Sequence, residues 1–255
     1  MNENNNPYAY YEPTPLNETG PRRGLGRYTL NDYADPSSLT TILLILLVLA
    51  ILTDALGLVS DFQQVHVIRN IQTGAYETEE TQEAAVEAAD TMVGVIGLGQ
   101  AAISILLGII FFVWTYRVCK NAHCLSLTSL ENTPGWAVGW YFVPIANLWK
   151  PYYALKEAYI ESYNADHSRP RIAEAPLILF WWIIHIISVF IGQISWRLTT
   201  GMTELSTTEQ WHAMKWSQIG SEGIEIPLNI LTIIVVLVFV RHQREGFERR
   251  NNDFR

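Results

Sequence analysis

Residues 135–151 read GWAVGWYFVPIANLWKP, with three tryptophans, two prolines and no charge before Lys150. How many times the chain crosses a membrane turns on this stretch: five times if it is a span, four if it is not. Pro144 removes a backbone donor and pushes Val143 out of helical backbone. The run is therefore too broken for a crossing helix and too apolar for an ordinary loop. Trp136, Trp140 and Trp149 suit the headgroup boundary, where an indole buries its ring and keeps its N–H wet.

Four longer apolar runs surround it, at roughly 39–59, 92–116, 175–196 and 226–240. A helix needs about 20 apolar residues to cross a ~30 Å hydrocarbon core. The first three runs meet that length. The fourth is short, and is read as a span because Glu225 and Arg241 bound it; it would thin the bilayer or recruit flanking residues.

Lysine and arginine set the orientation. With four spans and the amino terminus inside, inner segments hold 14 of the 17 Lys and Arg residues, and the outer loops hold Arg69, Arg197 and Lys215. A fifth span at 135–151 would leave seven inside and ten outside, against the rule. The reading is an all-α integral membrane protein with four transmembrane helices and both termini cytoplasmic. An interfacial or re-entrant segment, 135–163, lies between the second and third helices. Its second half, from Pro151, reads as an amphipathic helix with Tyr152, Leu155, Tyr159 and Ile160 on one face, set against lipid or packed on protein.

Residues 1–37 are polar and rich in Asn, Pro and Gly, and are read as a disordered tail; 38–245 form the membrane domain, and 246–255 a basic tail. Asn17–Glu18–Thr19 fits a glycosylation acceptor that a cytoplasmic tail would not use. A net charge of −8 argues against a nucleic-acid partner. Two cysteines make no disulfide framework. The first apolar run follows a long polar tail and reads as a retained anchor.

The block from Trp114 to Glu157 is distinctive. Trp114, Arg117 and Asn121 are followed by Pro134, Gly135, Trp136, Trp140, Pro144, Asn147 and Pro151. In these residues the chain resembles the bacterial membrane family known as domain of unknown function 4328, over roughly 38–245. The resemblance implies a multi-pass protein of the bacterial cytoplasmic membrane and brings no activity with it. Arg117 and Asn121, ending the second span, are expected to hydrogen-bond the broken backbone at 144–147, which must find partners.

Asp54 is the sharpest single residue, since an ionisable group inside a span is costly and a functional candidate. At about 1.5 Å per residue it lies roughly 22 Å from the inner face, and Gln100 roughly 12 Å below the outer one. Gln193 and Asn229 also fall in the outer half, so all four helices offer a polar residue to one buried site. Interhelical hydrogen bonding alone would also account for them. His185, flanked by Trp181 and Trp182, reads as a packed histidine. Gly97, Ala101, Ser104 and Gly108 form a small-residue stripe on the second span, and Ser188, Gly192 and Ser195 another on the third; both favour close helix packing. Cys119, His123 and Cys124 lack a fourth ligand for a metal.

No catalytic or nucleotide-binding motif is present, so neither an enzyme nor a cofactor is expected. Two readings stand. The first is a non-catalytic interaction or regulatory protein whose partners are the bilayer and a protein or a second copy. The alternative is a small oligomeric transporter or channel built on Asp54, Gln100, Gln193 and Asn229.

Overall fold

The computed structural model describes residues 28–127, 129–203 and 207–252. The expected tail up to residue 27, its glycosylation acceptor and the last three residues lie outside the described residues. Six helices follow in order: α1 (Ser37–Gln72), α2 (Glu79–Leu125), α3 (Pro134–Gly139), α4 (Lys150–Asn164), α5 (Pro176–Thr200) and α6 (Thr208–Asn252), with no strand among the described residues. Four of them, α1, α2, α5 and α6, are long and apolar enough to cross a membrane.

Local chemistry explains the helix starts. Thr78 caps α2 by accepting from the Thr81 N–H, with Glu79 and Glu80 in the first turn, where carboxylates favour the helix dipole. Thr133 caps α3 in the same way, and prolines open α3, α4 and α5, where their missing N–H costs no helical bond.

The spans are longer than the apolar runs. At about 1.5 Å per residue, α2 and α6 reach roughly 70 Å, more than twice a bilayer core. The segment between the first two apolar runs, 60–91, is expected as an outer loop, but its acidic part from Glu79 is the first part of α2, and most of the segment after the third run is the first part of α6. The fourth apolar run, 226–240, is therefore flanked by helix on both sides. A charged sequence carries a helix out of the apolar zone without ending it, because Glu, Gln and Lys are good helix formers.

α1 packs along α2 and α6, and α6 also packs along α5. α2 and α5 share only marginal contact; they approach where Phe111 lies 6.1 Å from Trp181. One half of the gap between them is filled by α3, α4 and the two short 3-10 turns that join them, with α4 touching α2, α5 and α6. The core sits here: Leu43, Leu47, Trp114, Val118, Ile178, Val236 and Phe239 are fully or almost fully buried.

α4 packs its expected apolar face on protein: Leu155 and Tyr159 are buried, and Tyr152 and Ile160 lie partly buried against the core. Its buried face is Ala154, Leu155, Ala158, Tyr159 and Ser162, because alanine and serine let it approach α2 and α6 closely. Residues 28–36, expected in the tail, instead lie on the bundle. Ala34 pairs its N–H and carbonyl with the Asn121 amide, and Tyr33 stacks on Phe247 at 4.1 Å. The basic tail expected from 246 continues α6 as far as Asn252.

Candidate functional site

The other half of the α2–α5 gap is open. Its back wall is α1 and α6, and its sides are α2 and α5. The crevice measures about 390 Å³, and Asp54, Asp61, Gln100, Glu222 and Glu225 line it.

Three of the four expected polar residues meet here. The Asn229 amide donates to Asp54 at 3.1 Å. The Gln100 amide donates to the Thr53 carbonyl at 3.3 Å and to Glu222 at 3.2 Å. Gln193 does not join them: it is exposed on the outer face of α5. The helical turn places Ser188 and Ser195 on the inward side instead, five residues before it and two after. Ser188 donates to Glu225, and Ser217 to Ser195 at 3.4 Å.

Glu222, Glu225 and Lys215 escape a reading of the sequence because 197–225 reads as a loop beyond the membrane, and Asp61 because it falls just past the first apolar run, 39–59. A signal existed: Lys215, Gln218, Glu222, Glu225 and Asn229 recur at alternating intervals of three and four, one polar stripe on a helix. Lys215 and Asp61 form an ion pair at 3.2 Å with side chains almost wholly buried, and Lys215 also donates to Gln218 at 2.7 Å. Asp54, Glu222 and Glu225 form no ion pair of their own among the described residues; Lys215 reaches Glu222 only through its field. The stripe also carries a weak point. Pro227 has no N–H for the Gly223 carbonyl, one turn back, so the helical ladder is interrupted between the two glutamates. Gly57 of α1 admits Glu222 to the crevice, since a Cβ there would overlap its carboxylate.

The distinctive block lies at the filled end. Trp114 is buried and donates to Thr40 at 3.2 Å. Asn121 is fully buried and serves Ala34 and Gln243, and Gln243 in turn donates to the Val118 carbonyl and to Ser162. No hydrogen bond joins Arg117 or Asn121 to 144–147. That segment is held from α5, where Trp182 donates to the Leu148 carbonyl at 2.8 Å, and by its own γ-turn. Ile145 has φ 67° and ψ −52°, and the Ala146 N–H reaches the Pro144 carbonyl at 2.8 Å. Pro134 and Pro151 are buried at the starts of α3 and α4. Trp136 and Trp140 lie 4.7 Å apart, and Lys150 sits over the Trp140 ring. Gly135 has open space around it, and Asn147 donates its N–H to the Val143 carbonyl at 3.0 Å.

Residues 77–241 match the family described as Domain of unknown function (DUF4328). The chain belongs to this family. No curated protein and no solved structure matches it. The DUF4328 match spans α2 to most of α6 and stops short of α1, where the resemblance read from sequence began. It holds the distinctive block together with Gln100, Glu222, Glu225 and Asn229, whereas Asp54 and Asp61 are contributed from outside it.

The remaining candidates have structural places. His185 stacks on Trp181 with planes 13° apart and makes no hydrogen bond with Asp54. Cys119 and Cys124 are free and buried, and among the described residues no three His, Cys, Asp or Glu side chains group as metal ligands. The small stripe on α5 packs on α6, with Gly192 near Ser221. Most of the stripe on α2 is exposed: Gly97, Ala101 and Ser104 are open and Gly108 is half-buried, and Gly97 and Ser104 line the crevice.

Proposed function

We propose that this multi-pass membrane protein binds a cation in the crevice between α2 and α5 and works as a small transporter or channel. The observation that carries this reading is the convergence of Asp54, Glu222 and Glu225 on one crevice with no Lys or Arg paired to them. Carboxylates placed together within a membrane domain repel one another and are costly to desolvate. A cation would offset both. Gln100 and Asn229 hold two of them in place, and the interrupted turn at Pro227 leaves backbone acceptors nearby, as discontinuous helices do at ion sites in transporters.

In this reading the chain lies in a bacterial cytoplasmic membrane with both termini inside, as the lysine and arginine bias favours. The crevice then faces outward. The α3–α4 segment sits at the inner interface, its exposed Trp136, Phe142, Ile145 and Trp149 meeting lipid. No catalytic step is proposed.

The test is uptake of rubidium and of methylammonium into proteoliposomes. Saturable uptake of either, lowered at least tenfold by Asp54→Asn, is the expected result. Uptake equal to that of empty liposomes would return the protein to the non-catalytic interaction reading. One observation favours that second reading: the most apolar stretch of α2 has no buried residue, a helix face free to meet a protein partner or a second copy.

A further inference from the structure

The geometry points to an organic ammonium with an apolar tail as the ligand of the crevice, its charged head among Asp54, Glu222 and Glu225 and its tail leaving sideways between α2 and α5. This rests on the cation-binding reading above and adds the class of ligand and the route by which it enters.

Several observations carry it. The crevice, at about 390 Å³, far exceeds the ~30 Å³ share of one water, so a dehydrated inorganic ion would leave most of it unfilled. The described carboxylates do not group as metal ligands. They do offer free acceptors: Glu222 Oε2 and Asp61 Oδ2 have no hydrogen-bond partner, and neither does the Ser60 hydroxyl, on a crevice residue 2% exposed. An ammonium presents several N–H donors to such a set, and each would otherwise stay buried and unpaired. The fourth carboxylate shows the mode of use, since Asp61 already holds the primary ammonium of Lys215 at 3.2 Å.

The side of the crevice decides the tail. Its α2 flank is Val93, Gly97, Gln100 and Ser104, with nothing within 4 Å of the space a Gly97 Cβ would take. α2 and α5 do not close over it, and the neighbouring α2 side chains, Leu98 and Ile105, are 76% and 64% exposed. In a bilayer that opening faces acyl chains. A fully hydrated cation gains nothing from such a wall, whereas an alkyl group passing it stays out of water at both ends of its path.

The experiment measures equilibrium binding of methyl-, propyl- and hexylammonium and of rubidium to the full chain in lipid nanodiscs, with empty nanodiscs subtracted for partition into lipid. The expected result is saturable binding that strengthens with chain length, by about fourfold for each methylene buried. Glu222→Gln, or Asp54→Asn should that variant not fold, lowers hexylammonium affinity at least tenfold. Gly97→Leu, which fills the lateral opening, removes the gain from chain length. Saturable binding of rubidium or methylammonium with no such gain would overturn the ligand class and leave the cation site standing. No saturable binding of any of the four would overturn both.

Discussion

At the residue scale, Lys215 and Asp61 repay a direct test. Each is buried, to 3% and 4% exposure, and each is the other's counter-charge. Removing one partner of such a pair leaves an uncompensated buried charge, at a cost of about 3–5 kcal/mol. Lys215→Met is therefore expected to lower the melting temperature in detergent sharply. The double variant Asp61→Asn with Lys215→Met should recover most of the loss, because nothing charged is then left behind. Equal instability of single and double variants would show that packing, not charge, accounts for the effect. Asp54 was legible in the sequence because a carboxylate amid LLVLAILTDALGLV stands out. Asp61 and Lys215 were not, since each sits in a polar stretch where a charge excites no notice. Gln193 misled because depth along a helix is readable from sequence, whereas the direction it faces depends on which neighbours the helix finds.

At the element scale, the γ-turn at Ile145 is the clearest backbone strain among the described residues. Positive φ is uncommon for any side chain and worst for a β-branched one, and such positions cost on the order of 1–3 kcal/mol. Ile145 is 70% exposed, so its side chain contributes little packing within the protein. Ile145→Gly should therefore raise stability in detergent, by about 1 kcal/mol after the added freedom of the unfolded chain is counted. A lower melting temperature would show that the side chain matters more than the turn. The break itself was readable: Pro144 marks it, and Val143 is extended, at φ −93° and ψ 113°. Nothing in the residues announces a γ-turn immediately after it. The loop between α4 and α5 is likewise a product of tertiary placement. Hydrogen bonds from Ser168, first through its hydroxyl, hold the Asp166 carboxyl below the usual aspartate range, with Arg169 alongside at 3.2 Å.

At the scale of the whole molecule, the four spans were legible because apolar length is a strong signal. Their continuation beyond the apolar zone was not, since amphipathic helix and polar loop look alike where short polar residues interrupt the period. Orientation rests on the lysine and arginine bias, and thiol labelling checks it. Cys119 and Cys124 are 3% and 4% exposed, so an impermeant maleimide should leave the parent protein unlabelled. Gly74→Cys, in the turn between α1 and α2, should react in cells whose outer barrier is opened and cytoplasmic membrane intact. Asn252→Cys, at the end of α6, should react only after lysis. The reverse pattern would invert the topology.

The contacts of α6 also bear on the order of assembly. Gln243 is the hub on which Asn121 and Ser162 meet, Phe247 receives Tyr33, and Gly246 passes so close to Ala165 that a Cβ would fall 2.7 Å away. All three lie in α6, which leaves the ribosome after α1 to α5. The strap at 28–36 and the α3–α4 wedge are made earlier and have α2 to dock on, yet Tyr33 and Ser162 meet these partners only when α6 arrives. The nascent wedge therefore stays only partly seated until α6 is made, and residues 243–247 act as the clasp that closes the bundle.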